Sequence, residues 1–209
     1  MRKILGITGS IASGKSLFCN ILGDLGFTVI DSDQIVHELY QPGNKGYKAL
    51  TGNKAFKPEI PLNSDKTIDR NKLRKIVFEN KAYKEKIEKI IHPLTTEQIK
   101  KSIKKLSENT NIAVEIPLLF EKKLENLVDI TVCVQSPMEK VIERIIEKFT
   151  VSEEDAFKIL KNQMPVNEKL YQADIIILNN DGIDAMKEKG RALIKILERE
   201  EITYQEQYP

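Results

Sequence analysis

The chain has 209 residues, 41% apolar and 31% charged, with a net charge of +2. That is long enough to bury one sizeable core and too evenly charged to argue for nucleic acid or a membrane surface as partner. Cys19 and Cys133 lie far apart with no metal-like spacing, which argues against a disulfide framework and fits a reducing cytoplasm.

The first residues run straight into an apolar stretch with no signal peptide, Lys3-Ile-Leu-Gly-Ile-Thr8, which predicts a buried parallel strand. A glycine-rich loop follows. Leu17, Ile21, Leu22 and Leu25 then keep a helical stripe that Gly26 can end. Phe27–Ile30 is a second short strand, delivering Asp31-Ser32-Asp33 at its carboxyl end. The stretch from Ile35 to Leu50 has a helical pattern broken at Gln41-Pro42-Gly43-Asn44, and 51–64 is turn-like. Asp69 suits an N-cap for a helix with Leu73, Ile76 and Val77 inside. Ile87, Ile90, Ile91 and Leu94 form an apolar face around His92-Pro93, and helical spacing resumes at Ile99, Ile103 and Leu106. Strands are expected at Ile112–Ile116, Asp129–Val134 and Asp174–Leu178, the last too short to span a bilayer. Ser136-Pro137-Met138-Glu139 reads as a capping box opening a helix with Val141, Ile142, Ile145 and Ile146 inside. Ser152 and Asp155 start another, carrying Phe157, Leu160 and Met164, and a last helix spans about Ile183 to Glu200. Strands alternating with helices imply a parallel sheet covered on both faces, with ligands beyond the strands' carboxyl ends. On that rule the glycine loop and Asp31–Asp33 are expected at one edge.

The loop itself, Gly9-Ser10-Ile11-Ala12-Ser13-Gly14-Lys15-Ser16, fits G-x-x-x-x-G-K-[ST] without a gap, between a strand and a helix. Glycines let backbone N–H groups close on phosphate oxygens, and the new helix adds its dipole. Gly9, Ile11, Ala12, Ser13, Gly14, Lys15, Ser16 and Leu17 are therefore expected to bind a nucleoside triphosphate. Within that set Lys15 reaches the β- and γ-phosphates and the Ser16 hydroxyl holds Mg²⁺. The guanine-reading Asn-Lys-x-Asp is missing, since Asn44-Lys45-Gly46-Tyr47 and Asn53-Lys54-Ala55-Phe56 lack the aspartate. No apolar strand ends in the Asp-Glu pair of a motor ATPase. A small-molecule kinase is left, with a non-catalytic nucleotide-binding switch as the rival from another class.

Further residues carry a closer likeness: Val29-Ile30-Asp31-Ser32-Asp33, Ile68-Asp69-Arg70 with Leu73-Arg74 and Phe78, His92-Pro93, Ile116-Pro117-Leu118-Leu119-Phe120-Glu121, Gln163, and Ala173-Asp174 leading to Asn179-Asn180. In this order they resemble the dephospho-coenzyme A kinases nearly end to end. The resemblance implies an α/β fold, a P-loop NTPase-type parallel sheet flanked by helices. The core would be about 1–34 and 110–209, a helical acceptor-binding subdomain about 35–109, and a mobile lid about 149–163. It implies ATP with Mg²⁺ as donor, dephospho-coenzyme A as acceptor, and a cytoplasmic enzyme without nucleic-acid or membrane partners. Nucleoside monophosphate, shikimate or a sugar acid are the rival acceptors.

The same resemblance suggests site residues. Asp33 would orient or deprotonate the ribose 3′-hydroxyl, against the alternative of a first-turn helix acid. Asp31 is either an N-cap or a partner for an Mg²⁺-bound water. Arg70, His92, Thr8 and Pro117 would contact the acceptor. Arg70 suits its phosphate because a guanidinium matches two oxygens at once, although a surface arginine is its plain alternative. Arg144 and Lys148, one helical turn apart, would turn to the transferring phosphate. Lysine at 148 replaces the usual arginine and loses its planar fork. Glu115 is a second departure, placed for an Mg²⁺-water contact. Asn179 and Asn180 would meet the adenine.

Overall fold

The computed structural model describes residues 2–207, with side chains described up to residue 198. The strands are β1 (Ile4–Thr8), β2 (Thr28–Asp31), β3 (Ile112–Glu115), β4 (Ile130–Gln135) and β5 (Ile175–Leu178), in the order β2-β3-β1-β4-β5. β1 pairs in parallel with β3 and β4, and β4 with β5, so Ile7 lies opposite both Glu115 and Val132. The helices are α1 (Lys15–Asp24), α2 (Ser32–Leu39), α3 (Lys45–Thr51), α4 (Arg70–Glu79), α5 (Lys81–Lys105), α6 (Met138–Phe149), α7 (Glu153–Lys161), α8 (Val166–Gln172) and α9 (Ile183–Gln207). The expected parallel α/β sheet flanked by helices is what the chain forms. No helix among the described residues is long and apolar enough to cross a membrane.

The chain divides into two compact units, Met1–Ile30 with Leu106–Pro209, and Asp31–Lys105. In the first, Leu5, Ile7, Val132 and Val134 from the central strands bury against Phe18 and Leu22 of α1 and Met186 and Leu193 of α9. Each such fully buried side chain contributes about 1.5–3 kcal/mol relative to an exposed one. Both cysteines lie in this unit, buried and not joined in a disulfide. Burial pushes the Cys133 thiol up to about 11, with Glu121 adding to the rise while Lys169 and Lys15 oppose it. A thiol that is neutral and covered is a poor nucleophile. In native protein, an aromatic disulfide reagent at neutral pH is expected to label less than about a tenth of the thiols, and all of them after denaturation. Rapid labelling of the native protein would contradict that burial.

The second unit packs Leu50, Phe56, Ile60, Ile68 and Leu73 against Tyr83, Ile87 and Ile91 of α5. Asp69 caps α4 by accepting from the Lys72 N–H at 3.0 Å, as its sequence position predicts. The two apolar stretches around His92-Pro93 prove to be one continuous helix of 25 residues. Proline removes one ladder bond there. The buried face of Ile87, Ile91, Thr95, Ile99 and Ile103 carries the helix through it.

Two further corrections concern the segment after β4. Ser136 makes no capping box. Pro137 is the N-cap of α6, without a side-chain bond, because the Ser136 hydroxyl is spent on the carbonyls of Ser13 and Asn179, both at 3.0 Å. The helix expected to reach Met164 ends at Lys161, because Pro165 biases Met164 out of helical backbone. A separate short helix, α8, then begins at Val166.

Candidate active site

The first unit carries the phosphate loop between β1 and α1. Gly14 sits at φ 99, and a methyl group there would collide with the Asn179 amide; one at Gly9, φ 145, would meet the Val134 carbonyl. No side chain caps α1 at Gly14. The first turn of that helix therefore keeps its N–H groups for an anion. Lys15, 8% exposed, folds back so that Nζ donates to the Ser10 carbonyl at 2.7 Å. The Ser16 hydroxyl donates to Glu115 Oε1 at 2.8 Å, and Glu115, at the end of β3, is buried. Strand register explains the pairing, since Glu115 lies opposite Ile7 on β1, just before the loop.

Thr8 is fully buried, and its hydroxyl donates to the Pro117 carbonyl at 3.3 Å. Arg144 reaches the loop from α6, with Nη1 donating to the Ala12 carbonyl at 3.1 Å and to Ser136 Oγ at 2.9 Å. Lys148, one turn on, is exposed and lies over the Phe149 ring at 5.7 Å. Asn179 is buried, its Nδ2 donating to the Ser13 carbonyl at 3.0 Å, while the Asn180 carbonyl accepts from Lys140 Nζ at 2.5 Å. Thr8, Gly9 to Leu17, Pro117, Arg144 and Asn179 thus gather around one loop.

Asp31, Asp33, Arg70 and His92 belong to the second unit. Asp31 is the N-cap of α2: Oδ1 accepts from the N–H groups of Asp33 at 2.8 Å and Gln34 at 3.2 Å. Asp33 stands exposed in the first turn. His92 is half-buried within α5. Arg70 opens α4 and lies 2.5 Å from His37 Nδ1. A guanidinium only donates, so His37 accepts there and carries its proton on Nε2. Gln41, 3.0 Å from Nε2, then has to turn its carbonyl oxygen to the ring. Tyr40, Arg70, Asn71, Leu73 and Arg74 line a basic cavity of about 390 Å³. Burial raises the Tyr40 hydroxyl's pKa, with Arg70 opposing and Glu88 reinforcing, so it stays a neutral donor.

Sequence reasoning missed His37, Tyr40 and Ser136 as parts of these constellations, and Lys169, whose Nζ donates to the Pro117 carbonyl at 2.8 Å. None carries a local signature. Each is recruited by tertiary contact alone, although Gln163 and Arg74 were among the residues of the family likeness.

Mg²⁺ fits the first unit's donors. It prefers oxygen, keeps several waters and needs only one or two protein groups beside phosphate. The Ser16 hydroxyl and Glu115 carboxylate are such a pair. The described residues hold no group of three or more His, Cys, Asp or Glu able to cage a metal.

A family model described as dephospho-CoA kinase matches residues 3–185. The dephospho-CoA kinase of Carboxydothermus hydrogenoformans is 38% identical over 188 residues, covering 89% of this chain and 90% of its own. That of Lactobacillus johnsonii is 34% identical over 201 residues, 95% of this chain and 100% of its own. Among solved structures, the dephospho-CoA kinase from Campylobacter jejuni superposes with a TM-score of 0.71 at 33% identity, over 96% of this chain and 100% of its own. A shikimate kinase from Acinetobacter baumannii, at 13% identity and TM-score 0.57, shares the fold. The chain belongs to the dephospho-CoA kinase family.

Proposed function

We propose that the protein transfers the γ-phosphoryl group of ATP to the ribose 3′-hydroxyl of dephospho-coenzyme A in the cytoplasm, giving coenzyme A and ADP. The observation that carries this reading is the phosphate loop of a family member with its parts assembled: uncapped α1, Lys15, and the Ser16–Glu115 pair 2.8 Å apart. Phosphoryl transfer asks for in-line positioning and charge neutralisation more than for covalent chemistry. Lys15 leaves the Ser10 carbonyl for the β- and γ-phosphates, and the N–H groups from Ala12 to Leu17 close on the phosphate oxygens. Mg²⁺, when bound, would offset the negative charge of the phosphates. Ser16 and Glu115 are the residues that would hold it. Arg144, already at the loop, supplies the fixed positive charge on the donor side, and Lys148 would join it by leaving Phe149. Asn179 and Asn180 border the adenine. On the acceptor side, Arg70 and Arg74 would grip phosphate, His92, Thr8 and Pro117 would contact the acceptor, and Asp33 would accept the 3′-hydroxyl proton.

A coupled ADP-release assay over dephospho-coenzyme A, nucleoside monophosphates and shikimate tests the assignment. Turnover with dephospho-coenzyme A should exceed that with any other acceptor by at least about a hundredfold, as expected where buried polar groups select the substrate. ADP release no faster than the water blank, with ATP still bound, would favour the nucleotide-binding switch.

A further inference from the structure

The tip of the phosphate loop is held from outside itself. Ala12 adopts φ 58, in the left-handed region that an L-residue rarely enters unaided. Such backbone persists only where neighbours impose it. Here three successive residues each have a backbone group engaged by a side chain from elsewhere in the chain. The Ile11 N–H donates to Gln163 Oε1 at 2.9 Å, the Ala12 carbonyl accepts from Arg144, and the Ser13 carbonyl accepts from Asn179 and Ser136. The side chains of Ile11 and Ala12 also pack into the apolar cluster formed by Val141, Ile142 and Ile145 of α6 with Ala156 of α7.

Gln163 belongs to the short connection between α7 and α8. Beyond it, α8 is moored to the core by Lys169, fully buried, whose Nζ lies 2.7 Å from Glu121 Oε1 and donates to the Pro117 carbonyl at 2.8 Å. The Ile11 amide is therefore bonded to a segment with one fixed end and one end leading into α7. A glutamine that only decorated a turn would face solvent. This one is half-buried and spends its acceptor on an amide 152 residues away.

We propose that the loop tip and the α6–α7 pair are one mechanical unit, with Gln163 and Ile11 as positioning residues that join them. Loop shape and α7 position then change together. Nucleotide affinity comes to depend on Gln163, a residue assigned no phosphate contact. This rests on the reading that the loop binds ATP.

The test compares wild type with Gln163→Met, which keeps length but removes the acceptor, and Gln163→Glu, which keeps an acceptor. Ile11 amide exchange is followed by NMR without nucleotide, and ATP affinity by titration. Loss of one hydrogen bond predicts that Gln163→Met speeds Ile11 exchange and weakens ATP binding by about three- to tenfold each, with Tm within about 2 °C and KM for the acceptor within about twofold. Gln163→Glu should restore slow exchange. Ile11→Ala, which removes the packing and keeps the N–H, should weaken ATP in the same direction. Combined with Gln163→Met it should cost less than the product of the two effects, as for parts of one unit. Wild-type exchange and ATP affinity in Gln163→Met, or independent effects of the two substitutions, would overturn the proposal. Should wild type itself bind no ATP, the functional reading falls, while the exchange comparison still decides whether Gln163 holds the loop.

Discussion

Replacing Asp33 by asparagine is expected to lower kcat by about 10²- to 10⁴-fold, the range for loss of a positioned general base, while ATP binding and the fold survive. The local structure makes the substitution clean. Asparagine matches aspartate in shape, and α2 does not depend on Asp33 for its start, because Asp31 accepts the N–H groups of residues 33 and 34. What Asp33 gives the helix is a first-turn negative charge, worth at most about 1 kcal/mol at an exposed position. A fall in Tm of more than a few degrees is therefore not expected. Asp31→Ala supplies the contrast: it removes the cap, costs about 1 kcal/mol of stability, and should lower activity only as far as α2 loosens. Steady-state kinetics with both substrates, ATP titration and thermal melts on the two variants separate the roles. Turnover within about threefold of wild type in Asp33→Asn would remove that carboxylate from the chemistry, whatever the fate of the helix.

The sheet and the phosphate loop were legible because their information is local. Short apolar runs such as Ile130 to Val134 have one plausible use in a chain that alternates strands with helices, and the loop motif is contiguous. What stayed hidden depends on distant partners. Ser136 has the spacing of a capping box, but a carbonyl 123 residues away takes its hydroxyl. The apolar spacing pauses between Leu94 and Ile99, yet five buried positions on one face carry the helix through and outweigh the single ladder bond that Pro93 removes. The seven residues of α8 show too little periodicity to announce a helix, and its most buried side chain is a lysine, which pattern reading assigns to solvent. Around the phosphate loop, the loop residues themselves could be named in advance from the contiguous motif. Of the groups that hold the loop, Arg144, Asn179 and Gln163 came only with the family likeness and Ser136 reads as a cap, since nothing near them in the chain records what they touch.

That buried lysine leads to the largest expected effect on stability. Lys169 is fully buried and Glu121 half-buried with both carboxylate oxygens covered, 2.7 Å apart, yet neither oxygen has a well-directed hydrogen bond. The pair is held by charge rather than by bond geometry. Lys169→Met removes the cation and strands a carboxylate in apolar surroundings, which costs about 3–5 kcal/mol when a buried pair is broken from one side. For a chain of this size that corresponds to a fall in Tm of roughly 6–20 °C, readable as a shifted urea midpoint with unchanged slope. Glu121→Gln should destabilise as well, though less, because the ammonium keeps the Pro117 carbonyl. Replacing both, as Lys169→Met with Glu121→Leu, leaves no unpaired charge and should recover most of the loss, since well-packed apolar residues often equal or exceed a buried ion pair. The sign of the coupling is the decisive reading. Single losses that simply add in the double variant would mean that the two charges do not sense each other, and that packing alone carries the contact between α8 and residues 117–121.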